Sequence, residues 1–164
     1  SKMMQSPQPA AKRTENGVSP QQKLTEEEHR AAQKAYWEEK SDLVSVNGMM
    51  LNDKGGDLDP KERPEILAML PPYAGKDVLE IGAGIGRFTA EIAATCGHIL
   101  AVDFTEAYIA ENERLHKHLG NTSFLCADAT KMVRPDASHD LVFTNWSDIP
   151  TTLLPFPVVL SVAQ

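Results

Sequence analysis

Val78-Leu79-Glu80-Ile81-Gly82-Ala83-Gly84-Ile85-Gly86-Arg87 decides the fold: an apolar run enters three closely spaced glycines, and helix-forming residues follow. Strand, tight turn and helix in that order open a βαβ unit. Glycines at 82, 84 and 86 let the main chain turn sharply and approach a ligand with no Cβ in the way. The next helix, expected over about 87–96, would point unpaired N–H groups at that ligand. The spacing is G-x-G-x-G, and Arg87 stands where the dinucleotide pattern G-x-G-x-x-G has its last glycine. That substitution, with Glu80 inside the strand, argues against a nicotinamide-dependent oxidoreductase, the alternative from another enzyme class.

Outward from the turn, strands are expected at 77–81, 98–103, 123–127 and 140–145, with a further helix at about 106–118. Strands alternating with helices predict right-handed crossovers and a parallel sheet covered on both faces. Upstream, Thr25 and Glu28 have the spacing of a capping box for a helix running to Lys40, which carries Tyr36 and Trp37 near its end. Asp59 as N-cap, with Pro60 at the first helical position and Glu62 reaching back, starts a second helix. Its Ile66, Leu67, Met69 and Leu70 should lie against the sheet before Pro71-Pro72 stops it. Residues 1–23 have hardly an aliphatic side chain and are expected to form a disordered arm.

The 164 residues allow one domain of ordinary size. A net charge of −7 and a pI near 5.2 disfavour a nucleic-acid or anionic-membrane surface, both of which need a basic field. No apolar run is long enough to span a bilayer, and the polar N-terminus lacks a signal core, so a cytoplasmic protein with a small-molecule partner is expected. Cys96 and Cys126 sit in apolar patterns far apart and read as reduced core residues. The histidines show no ligand spacing, and no metal is expected.

The strands end in polar residues, Gly82, Asp103, Asp128 and Asn145, and in an open α/β sheet such ends converge on one crevice. Asp103, about 20 residues beyond the first glycine, is where a carboxylate accepts both hydroxyls of a ribose. The plainer alternative makes it an N-cap, although Thr105 can fill that role. Asp128 can accept from an adenine amine while Ala129 offers its N–H to the ring; otherwise Asp128 forms an Asx-turn. The Asn145 carbonyl can receive the ammonium of a methionyl group. Arg87 can pair with a carboxylate or a substrate phosphate, or stand as a solvated charge. Together with the glycine turn, including Gly84, these spacings point to S-adenosylmethionine (SAM) as cofactor and to a Rossmann-like class I SAM-dependent methyltransferase fold.

Glu62-Arg63-Pro64-Glu65-Ile66-Leu67, Leu70-Pro71-Pro72-Tyr73 and Gly82 through Thr89 resemble the phosphoethanolamine N-methyltransferases of plants and nematodes, in particular their first-step domain. Val46 through Leu51, Asp57-Leu58-Asp59 and Asp140 through Trp146 are similar to further parts of that family, so the likeness runs from about Tyr36 to Trp146. The resemblance implies methylation of the phosphoethanolamine nitrogen on the way to phosphocholine. It carries over Gly82, Arg87, Asp103, Asp128, Ala129 and Asn145 as cofactor contacts. Tyr36 resembles an aromatic that the family brings over the reacting groups, where a phenol can bond the nitrogen; packing on the sheet is its simpler role. After Trp146 the likeness stops, and residues 147–164 contain Pro150, Pro155 and Pro157. That divergent tail is expected to leave residues 24–146 as an incomplete SAM-binding domain with its C-terminal strands missing. A bare sheet face and an open strand edge, available for self-association, would follow. The competing expectation is a non-catalytic truncated isoform that binds SAM weakly or pairs with a full-length partner.

Overall fold

The computed structural model describes residues 25–39, 45, 55–133, 135, 138–145 and 160–162, with the backbone alone given for 55–59 and 160–162. The expected N-terminal arm, the 46–51 lead-in, Trp146 and most of the tail lie outside the described residues.

Helix α1 (Glu26–Glu39) opens with the capping box: Thr25 N donates to Glu28 Oε2 at 2.7 Å and Glu28 N donates to Thr25 Oγ1 at 3.2 Å. Helix α2 (Gly55–Ala68) begins one turn before the cap expected at Asp59, and both Pro60 and Pro64 fall inside it. Neither proline has an N–H to reach back, so the early turns of α2 hold fewer bonds than a regular helix. The strong start signal at 59–60 therefore marks a weakened stretch of α2 and not its first residue.

Strands β1 (Asp77–Ile81) and β2 (His98–Asp103) fall where the sequence places them. β3 (Thr122–Cys126) and β4 (Leu141–Asn145) are each displaced or shortened by one residue. Between them run α3 (Thr89–Ala93) and α4 (Glu106–His116), the latter followed by a 3-10 turn at Lys117–Leu119. A second 3-10 turn, Ala129–Lys131, follows β3. Helix α3 is much shorter than expected because residues 84–88 form turns, so Arg87 precedes the helix instead of opening it.

The sheet is parallel throughout, in the order β3-β2-β1-β4-β5, where β5 is Leu160–Val162. β1, β2 and β4 are buried almost end to end, as a sheet covered on both faces requires. One face presents Val78, Ile99, Leu141 and Phe143 to Ile66 of α2 and to Phe88 and Ile92, with Leu67 and Leu70 partly buried against them, whereas Met69, expected there too, lies beyond the end of α2 and is exposed. The other face presents Leu79, Ile81, Leu100, Val102 and Val142, with Ala129 and Met132 packed among them.

Two consequences expected of the tail are corrected here. The second sheet face is not bare, since Leu79, Ile81 and Val102 are each 1% exposed. Nor is the β4 edge open: Phe143–Asn145 pair with β5, for which the proline-rich tail retains a short apolar stretch. The described sheet ends in β3 on one side and β5 on the other, and Cys126 at the end of β3 is exposed, unlike buried Cys96. An edge strand has neighbours on one side only, which is why an apolar pattern did not bury Cys126.

Candidate cofactor site

The carboxyl ends of β1, β2 and β4 lie side by side, because Ile81 is in register with both Val102 and Thr144. That register brings the residues just beyond, Gly82, Asp103 and Asn145, to one edge. Gly82 and Gly84 have φ of 68° and 54°, a left-handed conformation that glycine adopts without strain. Ala83 N donates to Val102 O at 3.0 Å, which fastens the turn to the end of β2.

Asp103 organises the crevice. Its Oδ2 accepts from Gly84 N at 2.9 Å and its Oδ1 from Thr105 N at 2.8 Å. Burial raises its pKa, while the backbone donors from Thr105 and Gly84 pull in the opposite direction. The Thr105 hydroxyl and the Phe104 N–H act on it in the same direction as those donors, so the carboxylate is held in place from several sides. Thr105 is the N-cap of α4 by position, but its hydroxyl makes no cap bond, and Asp103 serves its N–H instead.

Asp128 caps the 129–131 turn, accepting at Oδ1 from Thr130 N at 3.0 Å and Thr130 Oγ1 at 2.6 Å. The Asx-turn alternative is thus realised, and it leaves Oδ2 facing no partner among the described residues. Ala129, beside it, is buried. Asn145 is 8% exposed, and its Oδ1 has no hydrogen-bond partner among the described residues. A buried carbonyl oxygen without a donor is uncommon in a folded protein.

Arg87 is neither solvated nor waiting for an anion. It is buried, its Nη2 lies 3.3 Å from Glu62 Oε2, and its guanidinium stands over Phe88. With Arg63–Glu91 at 3.4 Å, this pair fastens α2 across the glycine turn. α1 is held to the same region: Arg30 Nη1 donates to Thr130 Oγ1 at 3.2 Å, and Trp37 meets Tyr108 edge-on. Tyr36 packs against Trp37 and remains 41% exposed, so Trp37 does most of the covering expected of the aromatic pair. Burial first, then the Asp103 charge, raises the Tyr108 pKa.

One polar group was missed. Glu80 is 2% exposed and its Oε2 accepts from Thr89 Oγ1 at 2.6 Å. Thr89 Oγ1 accepts from Asn112 Nδ2 at 3.0 Å, and His116 Nδ1 lies 2.8 Å from Asn112 Oδ1. Tyr108, Asn112 and His116 share one helix face at four-residue spacing, which is the signal that could have found it. Gly86 rests on this group: a Cβ there would lie 2.4 Å from Asn112 Oδ1 and 2.5 Å from His116. The third glycine is required by α4, and not by ligand approach as the motif alone suggests.

Residues 78–154 match the family model described as "Methyltransferase domain". A phosphoethanolamine N-methyltransferase of Triticum aestivum is 57% identical over 122 residues, 73% of this chain. The chain is homologous to phosphoethanolamine N-methyltransferases over most of its length. Phosphoethanolamine N-methyltransferase 1 of Caenorhabditis elegans is 44% identical over 117 residues. Among solved structures, Haemonchus contortus phosphoethanolamine N-methyltransferase 1, in complex with phosphoethanolamine and S-adenosylhomocysteine, superposes with a TM-score of 0.73 at 43% identity over 76% of this chain. The fold is that of class I SAM-dependent methyltransferases. The chain spans about a quarter of its curated relatives, 24% of the wheat protein, and 27% of the Haemonchus chain. Among the described residues no group of three or more His, Cys, Asp or Glu could hold a metal, and no helix is long and apolar enough to cross a membrane.

Proposed function

We propose that this chain carries the cofactor half of a SAM-dependent phosphoethanolamine N-methyltransferase, acting on the route to phosphocholine. The observation that carries the reading is the buried Asn145 Oδ1, without a partner among the described residues, on the same edge as a carboxylate clamped by Gly84 and Thr105. The residues fit the cofactor's chemistry end to end. Asp103 would accept from ribose hydroxyls, and Asp128 through Oδ2 from an adenine amine, with the Ala129 N–H toward the ring. Asn145 would take the ammonium, and Gly82 and Gly84 would let the backbone approach. Arg87 braces the turn through Glu62, so a ligand carboxylate reaching it would compete with that pair.

When bound, SAM supplies an electrophilic methyl group on a sulfonium. The protein's part is to align an unprotonated amine with it and to exclude water. An alkylammonium of pKa about 10 must lose its proton before it can attack. Tyr36, exposed beside Trp37 near the Asp103 end of the crevice, is the candidate to bond that nitrogen and to stabilise the developing cation with its ring. A cytoplasmic setting, inferred from two free cysteines, belongs to the same proposal. Self-association through a strand edge would use β3 or β5, because β4 is paired.

Calorimetric titration of the 164-residue chain with S-adenosylhomocysteine, beside a methyl-transfer assay on phosphoethanolamine, tests the reading. Saturable binding with one site per chain is expected. Absence of binding would overturn the cofactor assignment, and binding without turnover would assign this chain to the non-catalytic alternative.

A further inference from the structure

We propose that Asn112 and His116 are positioning residues of the cofactor site, setting the shape of the 82–86 turn through Gly86 on one side and through Thr89 and Glu80 on the other. This rests on reading that turn as the cofactor site. The two side chains lie on α4, and neither residue is at the carboxyl edge of the sheet where a ligand would sit.

Each link of the chain has a defined donor. Asn112 Oδ1 only accepts, so His116 Nδ1 must carry the hydrogen that reaches it at 2.8 Å. Asn112 Nδ2 donates to Thr89 Oγ1, and Thr89 spends its own hydrogen on Glu80 Oε2. Thr89 and Asn112 are fully buried, so no water competes for these bonds. Glu80 is one residue from Ile81 and the start of the turn; Thr89 begins the helix after it. Both ends of the turn are thereby fixed to one another through α4.

The middle of the turn is fixed to the same place by contact. Gly86 has φ of 93°, and the space where a Cβ would stand is filled by Asn112 and His116. Gly86 N also donates to Ala83 O at 3.0 Å, so a shift at 86 is passed to the residues beside Gly82 and Gly84. Gly84 N is the donor that holds Asp103 Oδ2. A side chain at position 116, half-buried on the outer end of α4, is in this way connected to the carboxylate proposed to hold the ribose.

Two pairs of variants test the inference on the full chain, with S-adenosylhomocysteine affinity read by calorimetry and folding read by urea unfolding. His116→Asn puts an amide N–H where Nδ1 stands, whereas His116→Leu keeps bulk and removes the donor. Thr89→Ser keeps the hydroxyl and Thr89→Val removes it. The donor-retaining member of each pair should bind within about twofold of the parent chain, and its partner roughly tenfold more weakly, the net effect of about one lost hydrogen bond. Had these residues only a stabilising role, the unfolding midpoint would fall and the affinity of the folded chain would not. Members of a pair that bind alike overturn the inference while leaving the cofactor assignment intact. A parent chain that does not bind S-adenosylhomocysteine removes that assignment, and the inference with it. If His116→Leu does not fold, the Thr89 pair decides the outcome alone.

Discussion

Replacing Glu80 with Gln should change how the stability of this protein depends on pH. Burial pushes the Glu80 pKa up from 4.5 to about 8, against the opposing bond from Thr89 and with a smaller contribution from Asp103. Between those two values the folded chain holds a proton that the unfolded chain has released. Stability therefore falls as pH rises from about 5 to about 8, at up to about 1.4 kcal/mol per pH unit, and flattens above the folded pKa. Across the whole window the loss approaches a ceiling of about 5 kcal/mol, comparable with the entire stability of a small domain. Glu80→Gln has the same shape, accepts from Thr89 through its amide oxygen and has no proton to lose, so it should be flat over this range. Urea unfolding at pH 5, 6, 7 and 8 for both chains measures the difference, and contributions from other titrating groups cancel between them. The variant should match the parent near pH 5 and exceed it increasingly toward pH 8. Equal slopes for the two chains would refute the reasoning and mean that the carboxylate is ionised inside the fold at neutral pH.

Other expectations are as direct. Asp103→Ala removes a carboxylate proposed to receive two ribose hydroxyls, and S-adenosylhomocysteine affinity should drop roughly 10- to 100-fold in calorimetry; unchanged affinity would place the ribose elsewhere. Asn145→Leu discards a buried oxygen that has no bond to lose among the described residues, so the urea midpoint of the free chain should hold or rise while cofactor affinity falls about tenfold. A drop in midpoint with affinity intact would reverse that assignment. Gly86→Ala forces a Cβ onto Asn112 and His116 at a φ of 93°, and should destabilise the fold by about 2–4 kcal/mol in urea unfolding. A loss below about 1 kcal/mol would show that α4 yields easily.

The strands were legible because each is a short apolar run ended by a polar residue. β1 and β2 match to the residue, and β3 and β4 nearly so. Helix boundaries were not. α2 runs through Pro60, which local rules read as a start, and α3 loses its first residues to turns that Asp103 and Val102 hold from β2. Both outcomes depend on tertiary contacts that no local pattern contains. At the proposed site, the convergence of Asp103 and Asn145 was legible from their places at strand ends. The role of Gly86 was misread, because the bulk that demands a glycine there comes from residues about 26 to 30 positions later, on another element. The solvated-charge alternative for Arg87 failed for a similar reason: the residue is buried and pairs with Glu62, on α2. The open edge expected after Trp146 failed because a short apolar stretch near 160 supplied a strand in spite of its prolines, and the face expected to be bare is packed with Ala129 and Met132.

The strand order β3-β2-β1-β4-β5 carries a consequence for assembly. β1, β2 and β3 pair as successive neighbours within residues 77–126, whereas β4 must return from residue 141 to the far side of β1. Contacts between residues close in sequence form first, since closing a longer loop sacrifices more chain entropy. Gly82, Asp103 and Asp128 all belong to or adjoin the early three strands, and Asn145 arrives with the late one. On the proposed reading, a nascent chain would acquire its grip on the nucleoside before it could recognise the amino-acid end.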